Sequence, residues 1–339
     1  MLLKAPTTVP MATAARWGGI DLLPVLGAGL VFTTHVLSLT NHDQLARILG
    51  WQVGRLGTMT FLVVAGYMAS TTARSPEAWL GRRVATLMPP YWIVLAFSFV
   101  AVRLTGYKTF SIWQIVAQFL GIGAFTHPGR LVLVVTWFIS VVMVLYLVVY
   151  GALRLRSTRV ILFALIAMLV GGCFDNLPQL GWLHAGSVFL AAYLLPHDPR
   201  KLPLPALLAA AGYLVAGYML PSGDLRHAGA ALLAFALLAP WRGACAPLAV
   251  LARHSYFVYL VHGPMLHLAL RFTTGSLLPT AILGALLTVP AAVLLKQLSH
   301  PLTAAWLARV DNSGKRPKPP HDSLGSQRHG SSAKSTPPS

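Results

Sequence analysis

Apolar residues along the chain gather into ten runs, at roughly 18–39, 56–73, 88–104, 131–152, 160–174, 180–196, 203–220, 228–240, 255–272 and 277–298. A membrane-crossing helix needs about 20 predominantly apolar residues, with some tolerance, so 160–174 and 228–240 are the shortest runs that qualify. A further apolar piece, 110–126, reads as a re-entrant or interfacial segment. The pattern predicts an all-α polytopic membrane protein, with about ten transmembrane helices in one bundle.

Composition points the same way: 56% of the 339 residues are hydrophobic and only 10% are charged, against about 25% charged in an ordinary soluble domain. Basic residues then set the orientation, because cytoplasmic loops collect Lys and Arg. With ten spans and an inside N-terminus, the inside groups are Lys4 and Arg16, Arg74, Arg82 and Arg83, Arg154, Arg156 and Arg159, Arg200 and Lys201, Arg242 and Arg253, and those from Lys296 to Lys334. These make up 19 of the 26 basic residues. Counting 110–126 as a full crossing moves the cluster at 154–159 and the later groups outside, so both termini are expected in the cytoplasm.

Residues 1–17 are expected to be a cytoplasmic segment leading into an uncleaved signal anchor, and 18–309 the membrane domain. Residues 310–339, rich in Ser, Pro, Lys and His, are expected to be a disordered cytoplasmic tail. The net charge of +18 spread over loops facing anionic headgroups needs no nucleic-acid partner; the bilayer is the expected one. Cys173 and Cys245 would lie towards opposite faces, so no disulfide and no metal site is expected. There is no internal repeat of fixed period, which weakens a transporter built from duplicated halves. The Ala-, Arg- and Gly-rich usage fits a multi-pass protein of a bacterial inner membrane.

Histidines interrupt the apolar runs, and two of them carry the argument. His35 lies within the first, and His262 within the ninth; an ionisable side chain in such a place is costly and is a functional candidate by default. The competing reading for each is a polar contact between helices. Asp21 opens the first run fourteen residues before His35, about 21 Å along a helix and on nearly the same face. It is either a helix cap ahead of Pro24 or part of a functional stripe, and the two side chains cannot touch. Arg82 and Arg83, in the segment Gly81 to Trp92, stand at a cytoplasmic helix boundary ahead of Pro89, Pro90, Tyr91 and Trp92. Guanidinium forks suit phosphate oxygens; the alternative is topogenic charge with an aromatic interface belt.

Taken in order, five segments resemble the integral-membrane acyltransferase-3 family, which O-acylates sugars and other envelope or metabolite hydroxyls. They are Asp21 to His35, Gly54 to Ser70, Gly81 to Trp92, Thr136 to Tyr150 and His254 to His267, and the resemblance covers roughly residues 18–298. It implies His35 as catalytic residue, with Asp21 in a companion place. It implies an acyl-coenzyme A donor, acetyl by default, at Arg82, Arg83, Tyr91 and Trp92. It implies a substrate cavity with Tyr67, Trp137, Tyr146 and His262, and a carbohydrate or other hydroxyl acceptor. The chain departs from the family pattern at Pro24 and Thr86, where many members carry arginine, at Ala65 in place of a serine, and at Val142 and Met143, where some carry a carboxylate.

The expected reaction takes a proton from an acceptor hydroxyl with His35 as general base while the thioester is held within reach. The rival readings are a proton-coupled transporter or flippase using Asp21, His35 and His262, and a non-catalytic relative.

Overall fold

A computed structural model describes residues 18–313 apart from 49–50, 72–74, 107, 175–181, 199–200, 221 and 244; the N-terminal segment 1–17 and the tail from 314 onward lie outside the described residues. The elements run α1 (Gly18–Leu39), β1 (Arg47–Ile48), β2 (Trp51–Gln52), α2 (Val53–Ser70), α3 (Pro76–Thr105), α4 (Ile112–Phe119), α5 (Gly123–Thr126), α6 (Thr136–Arg154), α7 (Thr158–Gly171), α8 (Trp182–Tyr193), α9 (Pro203–Met219), α10 (Gly223–Leu238), α11 (Ala246–Thr273) and α12 (Leu277–Ser313). Each of the ten apolar runs coincides with one helix, and the architecture is all-α but for the small antiparallel hairpin β1–β2, in which Arg47 pairs with Gln52.

The apolar piece 110–126 folds as α4 and α5, followed by a 3-10 turn at Pro128–Arg130. Eight helical residues advance about 12 Å, far less than the roughly 30 Å of a hydrocarbon core, so α4 adds no crossing. Its start is set by a capping box: Ser111 Oγ accepts from the Gln114 N–H, and Gln114 Oε1 accepts from the Ser111 N–H. Four helices, α1, α3, α6 and α12, are individually long and apolar enough to cross a membrane, and α7 and α9 are shorter apolar helices.

Two boundaries differ from expectation. α3 begins at Pro76, with Ser75 as its cap and Gly106 in the left-handed region (φ 65°) ending it, so Arg82 and Arg83 lie within a continuous helix rather than ahead of one. α12 runs through Ser313, four residues past the expected start of the tail, because an ion pair between Arg82 and Asp311 and the packing of Val310 over Gly81 hold its end against α3.

Close approach of backbones places the centre of the bundle. α1 packs against α2, α10, α11 and α12, and α2 against α8 and α10. Where α1 crosses α2, a Cβ on Gly57 would come within 2.6 Å of the Gly27 carbonyl oxygen, and one on Gly27 within 2.9 Å of that of Gly57. Further along α2, a Cβ on Gly66 would stand 2.1 Å from the Phe189 carbonyl oxygen of α8. These contacts use the small-residue packing typical of membrane helices. The outward faces stay apolar, with Phe97, Phe163, Leu286 and Val289 exposed, as hydrocarbon surroundings require.

Gly66→Ala should lower stability by about 1–3 kcal/mol, the usual cost of overpacking, read as a fall in the thermal midpoint of the detergent-solubilised chain. Gly212→Ala, at a position with open space around it, should leave that midpoint unchanged.

Candidate active site

α1 delivers His35 to its C-terminal end, where a cavity of about 550 Å³ is lined by His35, Thr34, Arg55, Trp137, Trp182 and Asp224 among others. Its walls come from α1, the β1–β2 hairpin with the loop before it, α2, α5 at Ala124 and the 3-10 turn after it, α6 with the turn before it, α8, the start of α10 and α11 at Tyr259. The volume lies within the range of about 300–1,000 Å³ usual for small-molecule sites.

Behind His35 stands His262, 1% exposed, with ring centroids 5.0 Å apart and planes at 60°. His262 Nδ1 lies 2.7 Å from the Tyr259 carbonyl oxygen. A carbonyl only accepts, so Nδ1 carries the hydrogen and Nε2 of the neutral ring presents a lone pair. That Nε2 is buried and has no hydrogen-bond partner among the described residues; the same holds for Thr34 Oγ1, next to His35. Buried polar atoms without a partner are unusual in a packed interior. Beneath them Tyr259, Phe61 and Phe138 form an aromatic floor, with centroids 5.1 to 6.2 Å apart.

The mouth is built by groups that no intramembrane pattern marks. Arg55 forms an ion pair with Asp224, joining α2 to α10. His227 holds the hairpin down: its Nε2 accepts from the Gln52 N–H at 2.8 Å, its Nδ1 donates to the Gly223 carbonyl, and the Trp51 ring packs edge-on at 5.3 Å. Trp182, which lines the cavity, is held by the Phe125 ring of α5 at 4.8 Å. The one sequence signal for Asp224 was its rarity, as one of 8 acidic residues in the chain; the hairpin and Arg55 gave none.

Of the residues singled out from the sequence, the structure brings together His35, His262 and Trp137. Asp21 lies in the first turn of α1, about 21 Å from His35 along the helix. Arg82 and Arg83 are also remote from the cavity, whose lining includes neither. Arg82 pairs with Asp311, while its Nε is buried with no hydrogen-bond partner among the described residues. Arg83 donates to the Met68 carbonyl at 2.6 Å and lies 5.8 Å from the Trp79 ring and 6.0 Å from that of Tyr146.

The remaining aromatic candidates hold helices in place. Tyr91 donates to the Gln118 carbonyl at 2.6 Å and Trp92 to that of Phe119 at 2.8 Å, so this pair ties α3 to α4. Tyr67 donates to the His197 carbonyl and packs on Phe235. Neither Tyr67 nor Tyr146 lines the cavity beside His35: Tyr146 is buried against Arg83 and Trp79 instead. Thr86, in place of a third arginine, turns its hydroxyl back to the carbonyls of Arg82 and Arg83, 3.0 Å from each. Among the described residues no cluster of three or more His, Cys, Asp or Glu is arranged to hold a metal.

His227→Ala should release the hairpin. The Gln52 amide should exchange its hydrogen about 5- to 150-fold faster, from the loss of a part-buried hydrogen bond worth about 1–3 kcal/mol, as read by hydrogen-exchange mass spectrometry.

A family model described as an acyltransferase domain matches residues 17–297, most of the chain. Neither a curated protein nor a solved structure gave a match.

Proposed function

The chain belongs to the membrane acyltransferase-3 family, and from that premise we propose that it moves an acyl group, acetyl by default, from acyl-coenzyme A to a hydroxyl of a carbohydrate or similar envelope or secreted acceptor. The observation that carries this reading is the placing of His35 in a cavity walled by Trp137 and Trp182. Tryptophan faces suit the apolar faces of sugar rings, while Thr34, Arg55 and Asp224 offer hydrogen bonds at the rim. Family membership favours transfer over transport by the same intramembrane histidines.

In this reading ten helices cross the membrane, both termini are cytoplasmic, and the cavity opens on the outer side, where an envelope acceptor is found. A ring nitrogen of His35 accepts the proton of the acceptor hydroxyl as its oxygen attacks the thioester carbonyl. The carbon–sulfur bond breaks, and the coenzyme A thiolate leaves and takes up a proton. Direct transfer needs one such step. His262, fixed through Nδ1 on Tyr259, orients the His35 ring and presents its bare Nε2 to a proton or hydroxyl at the floor of the site.

The donor enters from the opposite end, where Arg82 and Arg83 supply cation to its phosphates; the unpartnered Nε of Arg82 supports a ligand there. The acyl arm then has to cross most of the bundle to meet His35. Tyr91 and Trp92 act on the donor only through α3, whose position they set.

Mass spectrometry of envelope glycans and secreted metabolites, from cells with and without the chain, should show an added acyl mass that depends on it. His35→Ala should cut that transfer by about 10²- to 10⁴-fold, the usual contribution of a general base, while the protein stays folded and inserted. Near-normal transfer by the folded variant defeats the proposal.

A further inference from the structure

We propose that a groove between α11 and α12, away from the cavity and from the arginines, is a phosphate-binding pocket formed by His254, Lys296 and His300. The two helices are antiparallel neighbours joined by a short turn. His254 lies 19 residues before Thr273, the end of α11, and Lys296 lies 19 residues after Leu277, the start of α12. At about 1.5 Å per residue both stand roughly 28 Å from that turn, close to the thickness of a hydrocarbon core. The pocket therefore sits at the level of lipid phosphates on the side opposite the turn, whichever side that is.

The local chemistry is that of an anion site. Lys296 Nζ lies 3.4 Å from His254 Nε2, and His254 Nδ1 lies 2.7 Å from the Val250 carbonyl oxygen. His254 thus keeps its hydrogen on Nδ1, and Lys296 is the donor to Nε2, with two further N–H groups to offer. His300 is one helical turn beyond Lys296 on the same face. Together with Val293 and Gln297 they line a space of about 250 Å³ that contains no acidic residue.

This distinguishes Lys296 from Arg55, Arg82 and Arg154, which are paired with Asp224, Asp311 and Glu77. An ammonium held between two membrane helices in a groove without an acidic residue calls for a counter-anion, and basic pockets between membrane helices take lipid phosphates. The volume falls below the range of about 300–1,000 Å³ for whole small-molecule ligands, so it suits a headgroup phosphate better than a nucleotide. Exposed Leu251, Leu294 and Leu298 on the same helices offer acyl chains an apolar wall. The same donors would meet the phosphate of coenzyme A, and the test separates the two sources. The inference stands whether or not His35 is catalytic.

The full chain in detergent is titrated with short-chain phosphatidylglycerol, with zwitterionic phosphatidylcholine and with coenzyme A, following the thermal midpoint. Phosphatidylglycerol should stabilise the protein more than phosphatidylcholine does. Lys296→Gln, eluting as folded protein, should weaken that effect about tenfold, as loss of one charge-assisted hydrogen bond predicts, and His254→Gln, which removes only the acceptor that positions Lys296, should weaken it less. Lys296→Arg should retain it, and Arg159→Gln on α7 should leave it unchanged. If coenzyme A alone shows the dependence on Lys296, the pocket holds and its phosphate is the donor's. If neither titration differs between the wild type and Lys296→Gln, the pocket is overturned.

Discussion

An imidazole among hydrocarbon chains costs several kcal/mol unless the protein supplies it with polar company, and the bundle is arranged around that constraint at His35. One side of the ring meets a cavity with polar groups at its rim; the other meets His262, itself anchored on the Tyr259 carbonyl. This requires α1 and α11 to be neighbours, with α2 closing the site from a third direction. The crossing of Gly27 and Gly57 lets α2 come that near, since any side chain at either glycine would strike the other's carbonyl. The glycines that bring the α1 and α2 backbones together thus also bring α2 to the wall of the His35 cavity.

The two ends of the molecule are built differently. At the His35 end Thr34 and His262 each keep a buried polar atom with no partner among the described residues, as Arg82 Nε does at the other end. At the Arg82 end most of the polar capacity is spent on structure, through Asp311, the Met68 carbonyl and the rings of Trp79 and Tyr146. α12 helps to close this end of the bundle.

Much of this was legible from the chain alone, and the physical reason differs from case to case. Apolar runs reveal helices because lipid leaves the backbone few other ways to satisfy its hydrogen bonds; hence each run became a helix, and 110–126 broke into pieces too short to cross. His35 and His262 stood out because ionisable groups are rare in such runs, although nothing in their spacing showed that their rings would touch. Tyr67, Tyr91, Trp92 and Tyr146 stood out as well, but an aromatic hydroxyl or indole N–H can bond any carbonyl within reach, and only the fold reveals which. The hairpin, Arg55, Asp224 and His227 were not foreseeable: each acts through a partner more than a hundred residues away, and helical periodicity says nothing about which distant helix end it meets.

The most direct measurement concerns access to His35 from the cavity. In a chain whose exposed free cysteines, Cys173 and Cys245, are replaced by serine, Ser38→Cys puts a single thiol on the cavity wall one turn from His35. Labelling it with a bulky, membrane-impermeant maleimide in sealed proteoliposomes should abolish acyl transfer only when the reagent is on the side opposite the donor. Full transfer after stoichiometric labelling, or labelling only from the donor's side, would contradict an acceptor that reaches His35 through this cavity.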